Sequence, residues 1–420
     1  MLNDLCNSLL WSYQKWGDIA SLNLTLTSRV PQEVRHKVPS HWYQFDAPHP
    51  LWQPILGTLY IMIGSLSVTG NSIVLWIFGT TRSLRSGTNL LVMNLALSDL
   101  FMMLTQFPVL VANCYNQRWT LGALACEIYG FCGALFGTVS IITMALIAMD
   151  RYYAIAQPFI GWRLSYGRAI VWVCGAWAYG VVWCCPPLLG WNEYVLEGFL
   201  TSCTFDYLSE DLWSRSYVFV LFVGAYLLPL AIITTCYGRI FSSVSRHDQK
   251  VARENDLGDL SSVNFHRRET QLARVVIISV WFWAMAWTPY AVISLMGILS
   301  WRENLTPLAT MLPALFAKLS TVYNPFIYAV SHPRYRQELA VRLPWLCCRL
   351  PMERSQSMSR QRSLTSTVSR TSSMNNYRSN GQRSFRNSSK ADVTKDLPSL
   401  DALISSMGNE ASKKTYNTDL

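Results

Sequence analysis

The sequence contains few charged residues. Only 14% of its 420 residues are charged, whereas 51% are hydrophobic. This composition argues against an ordinary soluble domain and is typical of a membrane protein. The net charge of +10 does not indicate nucleic acid as a partner, because the basic residues lie between long apolar runs and in the C-terminal region. Basic residues in such places are signals of membrane orientation.

The sequence also lacks a cysteine pattern typical of disulfide-rich or zinc-binding proteins, and it lacks a cleavable signal peptide. The eleven cysteines form neither a dense disulfide pattern nor a CxxC pair that would suggest zinc. Residues 1–20 lack the basic start and the uninterrupted apolar core of a cleavable signal peptide. We therefore expect the first apolar run to serve as an uncleaved signal.

Seven apolar runs are each long enough to cross a bilayer as a helix. Basic residues are concentrated in the loops after the first, third and fifth runs, which predicts an outer N-terminus and a cytosolic C-terminus. The sequence predicts an all-α membrane protein, a seven-transmembrane helix bundle. The runs lie at about 53–79, 88–113, 123–156, 168–190, 213–240, 270–299 and 308–330. The predicted divisions are an extracellular N-terminus (1–52), the bundle (53–330), an amphipathic helix eight on the inner membrane surface (331–346) and a disordered cytoplasmic tail (347–420).

One charged residue, Lys318, lies near the middle of the seventh run. It is roughly ten residues from either end, about 15 Å along a helix, so its side chain is too short to reach water. An ammonium there costs at least about 3 kcal/mol on insertion scales, so we expect Lys318 to serve a function. An ion pair, an uncharged amine and covalent use of the amine are all physically reasonable.

An Asn-Pro-x-x-Tyr motif, Asn324 to Tyr328, begins six residues after Lys318. This combination resembles the opsins. The other spans each contribute a residue or motif in an order that resembles the rhodopsin-like G-protein-coupled receptors over about residues 53–350. These are Asn71, Asp99, Asp150-Arg151-Tyr152, Trp177, Pro229, Tyr237 and Pro289.

The resemblance implies that Lys318 carries retinal as a Schiff base, 11-cis in the dark and all-trans after light. It also implies a disulfide between Cys126, at the start of span three, and Cys203, in the next outer loop. The chromophore is expected to contact small and aromatic residues of spans three, five and six, namely Tyr129, Gly133, Ala134, Gly137, Phe222, Tyr226, Trp287 and Tyr290.

A buried, protonated Schiff base needs a negative partner. In vertebrate visual opsins this is a Glu one helical turn below the span-three cysteine, but Tyr129 occupies that position here. Glu197, in the loop that contains Cys203, is then the counterion candidate, as in opsins that resemble invertebrate visual pigments and melanopsins. With the carboxylate on the loop, we expect a bistable pigment.

The cytosolic side carries a predicted switch. Asp150-Arg151-Tyr152 closes span three and Glu269 opens span six, so Arg151 and Glu269 could hold each other in a resting state. The family resemblance further implies a hydrated polar network around Asp99. Its expected members are Asn71, Ser140, Asn324, Pro325 and Tyr328.

Three stretches, 126–137, 197–203 and 329–335, look like melanopsin and also fit the wider class of rhabdomeric opsins. Most of that class drives Gq-type G proteins and phospholipase C. His332-Pro333-Arg334 departs slightly from the usual His-Pro-Lys, which leaves Gi/o coupling as an alternative. The resemblance implies a plasma-membrane photoreceptor that is not an enzyme.

Several modification and partner sites are predicted near the termini. Asn23 is a possible N-glycosylation acceptor, and Cys347 and Cys348 are candidate palmitoylation sites. Serines and threonines in 355–373 could be phosphorylated by a receptor kinase and then bind arrestin. Thr418-Asp419-Leu420 fits a PDZ-type ligand.

Three other functions compete with light-driven signalling. A retinal photoisomerase would share Lys318 but would not need Asp150-Arg151-Tyr152 or a phosphorylatable tail. A receptor for diffusible amines would need a carboxylate near Gly133, where the sequence has none, and would have no use for Lys318. A transporter would be expected to contain inverted repeats or broken helices, which we do not find in the sequence.

Overall fold

The computed structural model describes residues 25–157, 162–254, 260–299 and 301–346. Within these ranges the chain forms the predicted helices, including a short eighth helix after the seventh span. The helices are α1 (Trp52–Thr80), α2 (Gly87–Asn116), α3 (Ala123–Ala156), α4 (Tyr166–Cys184), α5, α6 (Leu260–Ile298), α7 (Pro307–Ser331) and α8 (Pro333–Arg342). Helix α5 consists of Leu212–Leu221, a π-helical segment Phe222–Leu227, and Leu228–Glu254.

Hydropathy explains most of the bundle. Among the described residues, helices α1 to α6 are long and apolar enough to cross a membrane. Helix α7 is also long enough, with 25 residues, but its polar residues, among them Lys318 and Asn324, lower its mean hydropathy. Helix α3 lies at the centre of the bundle, because 67% of its most apolar 18-residue segment is buried, compared with 22% for the corresponding segment of α4.

Helices α4, α5 and α6 differ most from prediction: α5 continues to Glu254 and α6 begins at Leu260, whereas the apolar runs end at about 240 and begin at about 270. Helix α4 ends at Cys184 rather than near residue 190, because Pro186 and Pro187 cannot continue an α-helix and begin a 3₁₀ turn instead. Helix α5 winds as a π-helix over Phe222–Leu227, a feature that the sequence did not predict. Such segments frequently occur at functional sites, and two of the predicted chromophore contacts, Phe222 and Tyr226, lie in this one.

The loop between α4 and α5 contains a small hairpin that the all-α prediction did not include. Strands β1 (Tyr194–Glu197) and β2 (Ser202–Phe205) pair in antiparallel register, with Leu196 opposite Cys203. Cys203 forms the predicted disulfide with Cys126, with the Cα atoms 5.4 Å apart. The hairpin therefore lies over the N-terminal end of α3 as a buried layer.

The turn of this hairpin requires glycine. Gly198 has a φ of +59°, in the left-handed region that L side chains rarely adopt. A Cβ atom at this position would also lie 2.6 Å from Cγ of Met311 on α7. The hairpin turn can therefore approach α7 closely enough to bring Glu197, the last residue of β1, toward Lys318.

A folded N-terminal segment covers the same end of the bundle. Three 3₁₀ turns, Leu26–Arg29, Gln32–Lys37 and Ser40–Gln44, precede α1. Trp42 is fully buried, and it belongs to the same apolar cluster as Leu196 and Cys203 of the hairpin. The sequence predicted this region only as a mixed, polar terminus.

Candidate functional site

Lys318 lies on α7, facing an internal cavity. The Thr306 hydroxyl accepts the Ala309 N–H and so caps the start of α7. The Lys318 side chain is half-buried. Its exposed part faces the cavity and not bulk solvent, because Lys318 lines that cavity together with Ala314 and Ala317. No ion pair of the Lys318 ammonium occurs among the residues that the structure describes.

Glu197 of the hairpin lines the same cavity and is only 3% exposed. Its Oε1 accepts a hydrogen bond of 2.8 Å from the Tyr207 hydroxyl. Burial raises the pKa of Glu197 to about 7, although the Tyr207 hydrogen bond, the Lys318 charge and the Tyr290 hydroxyl all act to lower it. A cation in this cavity would therefore find Glu197 as its nearby carboxylate, and would hold it in the charged form.

Two adjoining cavities extend from this pair into the bundle. They share lining residues such as Ala134, Trp287 and Tyr290, and their empty spaces measure about 510 and 650 Å³. The cavity at Lys318 holds most of the polar groups, whereas the other is lined largely by apolar and aromatic side chains. Together they form a long, mostly apolar space with an amine and a carboxylate at one end.

The structure brings most of the predicted contact residues to these cavities. Gly133 and Ala134 line the cavity at Lys318, and Gly137, Phe222 and Tyr226 line the other. A Cβ atom on Gly137 would lie 2.7 Å from the Trp287 ring, so glycine is needed for α3 and Trp287 to pack. The small residues of α3 therefore make room for the aromatic ring.

Tyr129 occupies a different place from the other predicted contacts. It is buried behind the cavity wall, with its ring 5.7 Å from that of Trp119. Its backbone carbonyl accepts a hydrogen bond of 2.7 Å from Gln106, and it is Gln106 that lines the cavity. Gln106 was not among the predicted contacts, although a buried amide within a membrane span is a recognisable sign of a functional residue. Tyr207 was not predicted either, and no local pattern distinguishes it.

Trp287 connects the cavities to α7. Its indole N–H donates to the Ser320 hydroxyl at 3.0 Å, two residues beyond Lys318. The ring also stacks on Trp283 with centroids 5.5 Å apart. A change in the shape of the cavity contents would therefore reach both α6 and α7 through this side chain.

A polar network lies further along the bundle, beyond the cavities as seen from the hairpin. Asp99 accepts hydrogen bonds from the Ser140 hydroxyl at 3.2 Å and the Asn324 amide at 2.8 Å. Asn71, also expected in this network, donates instead to the backbone carbonyls of Ser67 and Thr321 and so joins α1 to α7. Helices α2, α3 and α7 therefore meet at Asp99, with Asn71 as a separate link.

The C-terminal end of α3 carries the predicted charged motif. Arg151 pairs with the neighbouring Asp150 at 2.5 Å, and the Thr88 hydroxyl donates to Asp150 at 2.6 Å. The indole of Trp162 also donates to Asp150 at 3.3 Å. The side chain of Glu269, the predicted partner of Arg151, lies outside the described part of the chain, so that pairing stays a prediction.

Comparison with known proteins identifies the family of this bundle. Residues 70–328 match the family of 7 transmembrane receptors (rhodopsin family). The rhodopsin of Cataglyphis bombycina is 43% identical over 331 residues, which cover 78% of this chain and 87% of the relative. The chain belongs to the rhodopsin family of seven-transmembrane receptors. The lateral eye opsin of Limulus polyphemus is 39% identical over 355 residues, covering 83% and 93% of the two chains.

A solved structure agrees with this assignment. The crystal structure of squid rhodopsin is similar to this receptor with a TM-score of 0.73 and 34% identity, covering 79% of this chain and 96% of that one. These relatives are invertebrate opsins, which confirms the resemblance to rhabdomeric opsins. The protein is an opsin-type light-sensing receptor that crosses the membrane several times; it acts through a heterotrimeric G protein and is not an enzyme.

Several predicted sites lie outside the described residues. The glycosylation candidate Asn23 and the palmitoylation candidates Cys347 and Cys348 are among them. The serine- and threonine-rich stretch and the terminal residues Thr418, Asp419 and Leu420 lie there as well. These assignments stay predictions from the sequence.

Proposed function

We propose that the receptor senses light through retinal held on Lys318, with Glu197 as the counterion. One observation carries the proposal: a lysine and a buried carboxylate line one cavity that continues into an apolar, aromatic space. This donor set fits retinal, because the aldehyde needs an amine and the polyene needs an apolar enclosure. Joined to Lys318 as a protonated Schiff base, retinal supplies visible-light absorption and a change of shape on isomerisation.

Glu197 has the surroundings that a counterion requires. A carboxylate that stays charged inside a protein needs hydrogen-bond donors as well as a cation. The Tyr207 hydroxyl is one such donor, at 2.8 Å. The Tyr290 hydroxyl is near enough to stabilise the carboxylate too, and it contacts Thr204 of β2 at 2.6 Å. Glu197 thus stabilises the proton on the Lys318 nitrogen. The hydroxyls of Tyr207 and Tyr290 reduce the free-energy cost of burying the negative charge of Glu197.

Trp287 is the residue that we expect to transmit the change of shape. Its contacts with Gly137 and Ser320 connect the cavity to α3 and α7. Movement of the ring would disturb the α7 backbone only four residues before Asn324, which bonds to Asp99. We infer that the signal passes from the cavities to the Asp99 network and then to Arg151 at the cytosolic end.

The finer assignments rest on resemblance. We propose 11-cis-retinal in the dark and all-trans-retinal after light, a bistable pigment, and coupling to a Gq-type G protein and phospholipase C. Receptor kinase and arrestin would act on the Ser/Thr-rich tail. Basic residues concentrated in the inner loops support an outer N-terminus in the plasma membrane.

The decisive experiment is an absorption spectrum. Purified receptor is incubated in the dark with 11-cis-retinal, as wild type, as Lys318→Ala, and as Phe316→Ala, a control that introduces alanine at an exposed position of α7. We expect a visible band in wild type and the control but not in Lys318→Ala. Absence of the band from folded wild type, or its persistence in Lys318→Ala, would refute the proposed site.

A further inference from the structure

The hairpin that carries Glu197 is attached to the outer end of α3 at two places. The first is the disulfide between Cys203 and Cys126. The second is ionic and uses Lys37 of the N-terminal segment. Its ammonium lies 2.9 Å from a carboxylate oxygen of Glu127 and 3.2 Å from one of Glu193. Glu127 follows the α3 cysteine directly, and Glu193 directly precedes β1.

The environment of Lys37 distinguishes it from an ordinary surface lysine. Its side chain is only 10% exposed, whereas Glu127 and Glu193 are 33% and 52% exposed. Burial acts to lower the pKa of Lys37, but the hydrogen bonds and charges of the two carboxylates outweigh burial, and the pKa is raised. Lys37 is therefore a charged, ordered link and not a solvated side chain.

The N-terminal segment that presents Lys37 is itself fixed. Val34 is 1% exposed and Trp42 is fully buried, both in the apolar cluster that includes hairpin residues. The His41 ring bonds to the backbone carbonyl of Leu305, in the loop between α6 and α7, at 2.8 Å. Because the segment is anchored on both sides of the outer mouth, a contact with Lys37 can restrain the hairpin.

The disulfide and the Lys37 bridge restrain the hairpin at two separated points. The disulfide holds β2 at Cys203, opposite Leu196 in the register, whereas Glu193 precedes the far end of β1. Restraint at these two separated points fixes the orientation of the hairpin as well as its position. The orientation matters because Glu197 ends β1 and must aim its carboxylate at the cavity.

We propose that Lys37 is a positioning residue for the counterion: by bridging Glu127 and Glu193 it clamps the hairpin so that Glu197 faces Lys318. This inference rests on the proposed role of Glu197. The clamp itself is a mechanical property of the retinal-free protein, so it can be tested separately. Neither carboxylate nor Lys37 lines the cavities, so the effect on Glu197 is indirect.

The first test uses hydrogen exchange of the retinal-free receptor, followed by mass spectrometry over residues 194–205. Lys37→Met removes the ammonium and should raise the exchange of the hairpin amides about tenfold, because a local restraint is lost. Lys37→Arg keeps the charge and should stay within about twofold of wild type. Arg118→Met, which removes an exposed cation from the same surface, should leave the hairpin unchanged.

Glu193→Gln gives a milder version of the test, should Lys37→Met fail to fold. It should raise hairpin exchange about threefold alone and add nothing on top of Lys37→Met, because the two residues act through one contact. Unchanged exchange in Lys37→Met, or fully additive effects in the double variant, would overturn the clamp.

The second test asks whether the clamp positions the counterion. In receptor loaded with 11-cis-retinal, alkaline titration converts the visible band to an ultraviolet one. In Lys37→Met we expect the midpoint of this titration to fall by about one pH unit, a tenfold loss of proton affinity at the Lys318 nitrogen. Faster amide exchange in the hairpin of Lys37→Met, together with an unchanged midpoint of the alkaline titration, would refute the positioning role. If wild type forms no visible band, the proposed function fails, and the exchange experiment alone still decides on the clamp.

Discussion

Two halves of the receptor are held together by different means: the half that carries the hairpin, which the basic loops predict to be the outer one, and the half that carries Asp150 and Arg151, predicted to be the inner one. The outer half has a disulfide, a buried hairpin and a buried ammonium between two carboxylates. In the inner half, the described links between helices are hydrogen bonds, at Asp99 and from Thr88 to Asp150, and the ion pair of Asp150 with Arg151 lies within α3. Covalent and buried ionic links resist rearrangement, whereas hydrogen bonds can exchange partners. The difference suits an outer half that holds a ligand and an inner half that switches.

Breaking the disulfide should have the largest effect. The bond between Cys126 and Cys203 closes a loop of 77 residues, which contributes about 4 kcal/mol in the chain-entropy description. We expect Cys203→Ser to abolish the visible band with 11-cis-retinal, measured by absorption of the purified protein. Cys174→Ser, at an exposed free cysteine of α4, is the control and should form normal pigment. A normal band in Cys203→Ser would show that the outer half does not depend on the covalent link.

The second prediction concerns Glu197 in the retinal-free receptor. Its pKa, raised to about 7 by burial, lies above its value of 4.5 when unfolded, so the folded state binds the proton more tightly. The contribution of this carboxyl to the free energy of unfolding is therefore greatest at low pH and falls by about 2.5 kcal/mol between pH 5 and pH 8. Thermal unfolding across this range should show the loss in wild type and not in Glu197→Gln. A Glu197→Gln variant with the same pH dependence as wild type would assign the dependence to another group.

The inner half should respond to Asp99→Asn without loss of pigment. An amide has one acceptor oxygen, so it cannot receive both the Ser140 hydroxyl and the Asn324 amide in the present arrangement. We expect a normal visible band but about a tenfold change in light-dependent nucleotide exchange by the G protein. Thr105→Val, at a partly exposed position of α2 whose hydroxyl bonds within the helix, should leave both unchanged. Loss of the band in Asp99→Asn would mean that the two halves are not separable.

The smallest effect is expected at His332, where α8 begins. Its Nδ1 accepts the Tyr335 N–H at 3.1 Å, and burial lowers the pKa of this histidine to about 4. Because the folded pKa lies below the unfolded value of 6.5, the stabilisation is present above pH 6.5 and is lost as the pH falls toward 4. Between pH 7.5 and 6.0, opening of α8 should increase about fourfold, measured by amide exchange corrected for its intrinsic pH dependence. His332→Asn keeps a capping side chain that does not titrate, so its opening should not change with pH.

The local sequence pattern was sufficient to predict the helical bundle and the functional importance of the lysine in its seventh span. Seven long apolar runs predicted seven spanning helices, and Lys318 was identifiable because an ammonium in the middle of a span is costly. Contacts between segments that are distant in the sequence were harder to predict. The resemblance supplied Cys126 with Cys203, but nothing in the sequence signalled Tyr207 as a donor to Glu197 or the hairpin register that brings them together.

The N-terminal segment shows most clearly where sequence reasoning failed. Residues 25–50 have no helical or strand periodicity, so they were interpreted only as an outer terminus. In the structure Trp42 is fully buried and Lys37 bridges two other segments. Short 3₁₀ turns of this kind derive their order from the surfaces they pack on, which a local pattern does not contain.

The sequence by itself determined the membrane-spanning architecture, the orientation expected from its basic loops and the presence of one lysine inside a span. These follow from hydropathy and the cost of burying charge, which are properties of local composition. The tertiary structure alone decided that Glu197 shares a cavity with Lys318, that Tyr129 lies behind the cavity wall and that Lys37 holds the hairpin. Such contacts join residues that are tens to hundreds of positions apart, so they exist only once the helices have packed and the outer segments have folded over them.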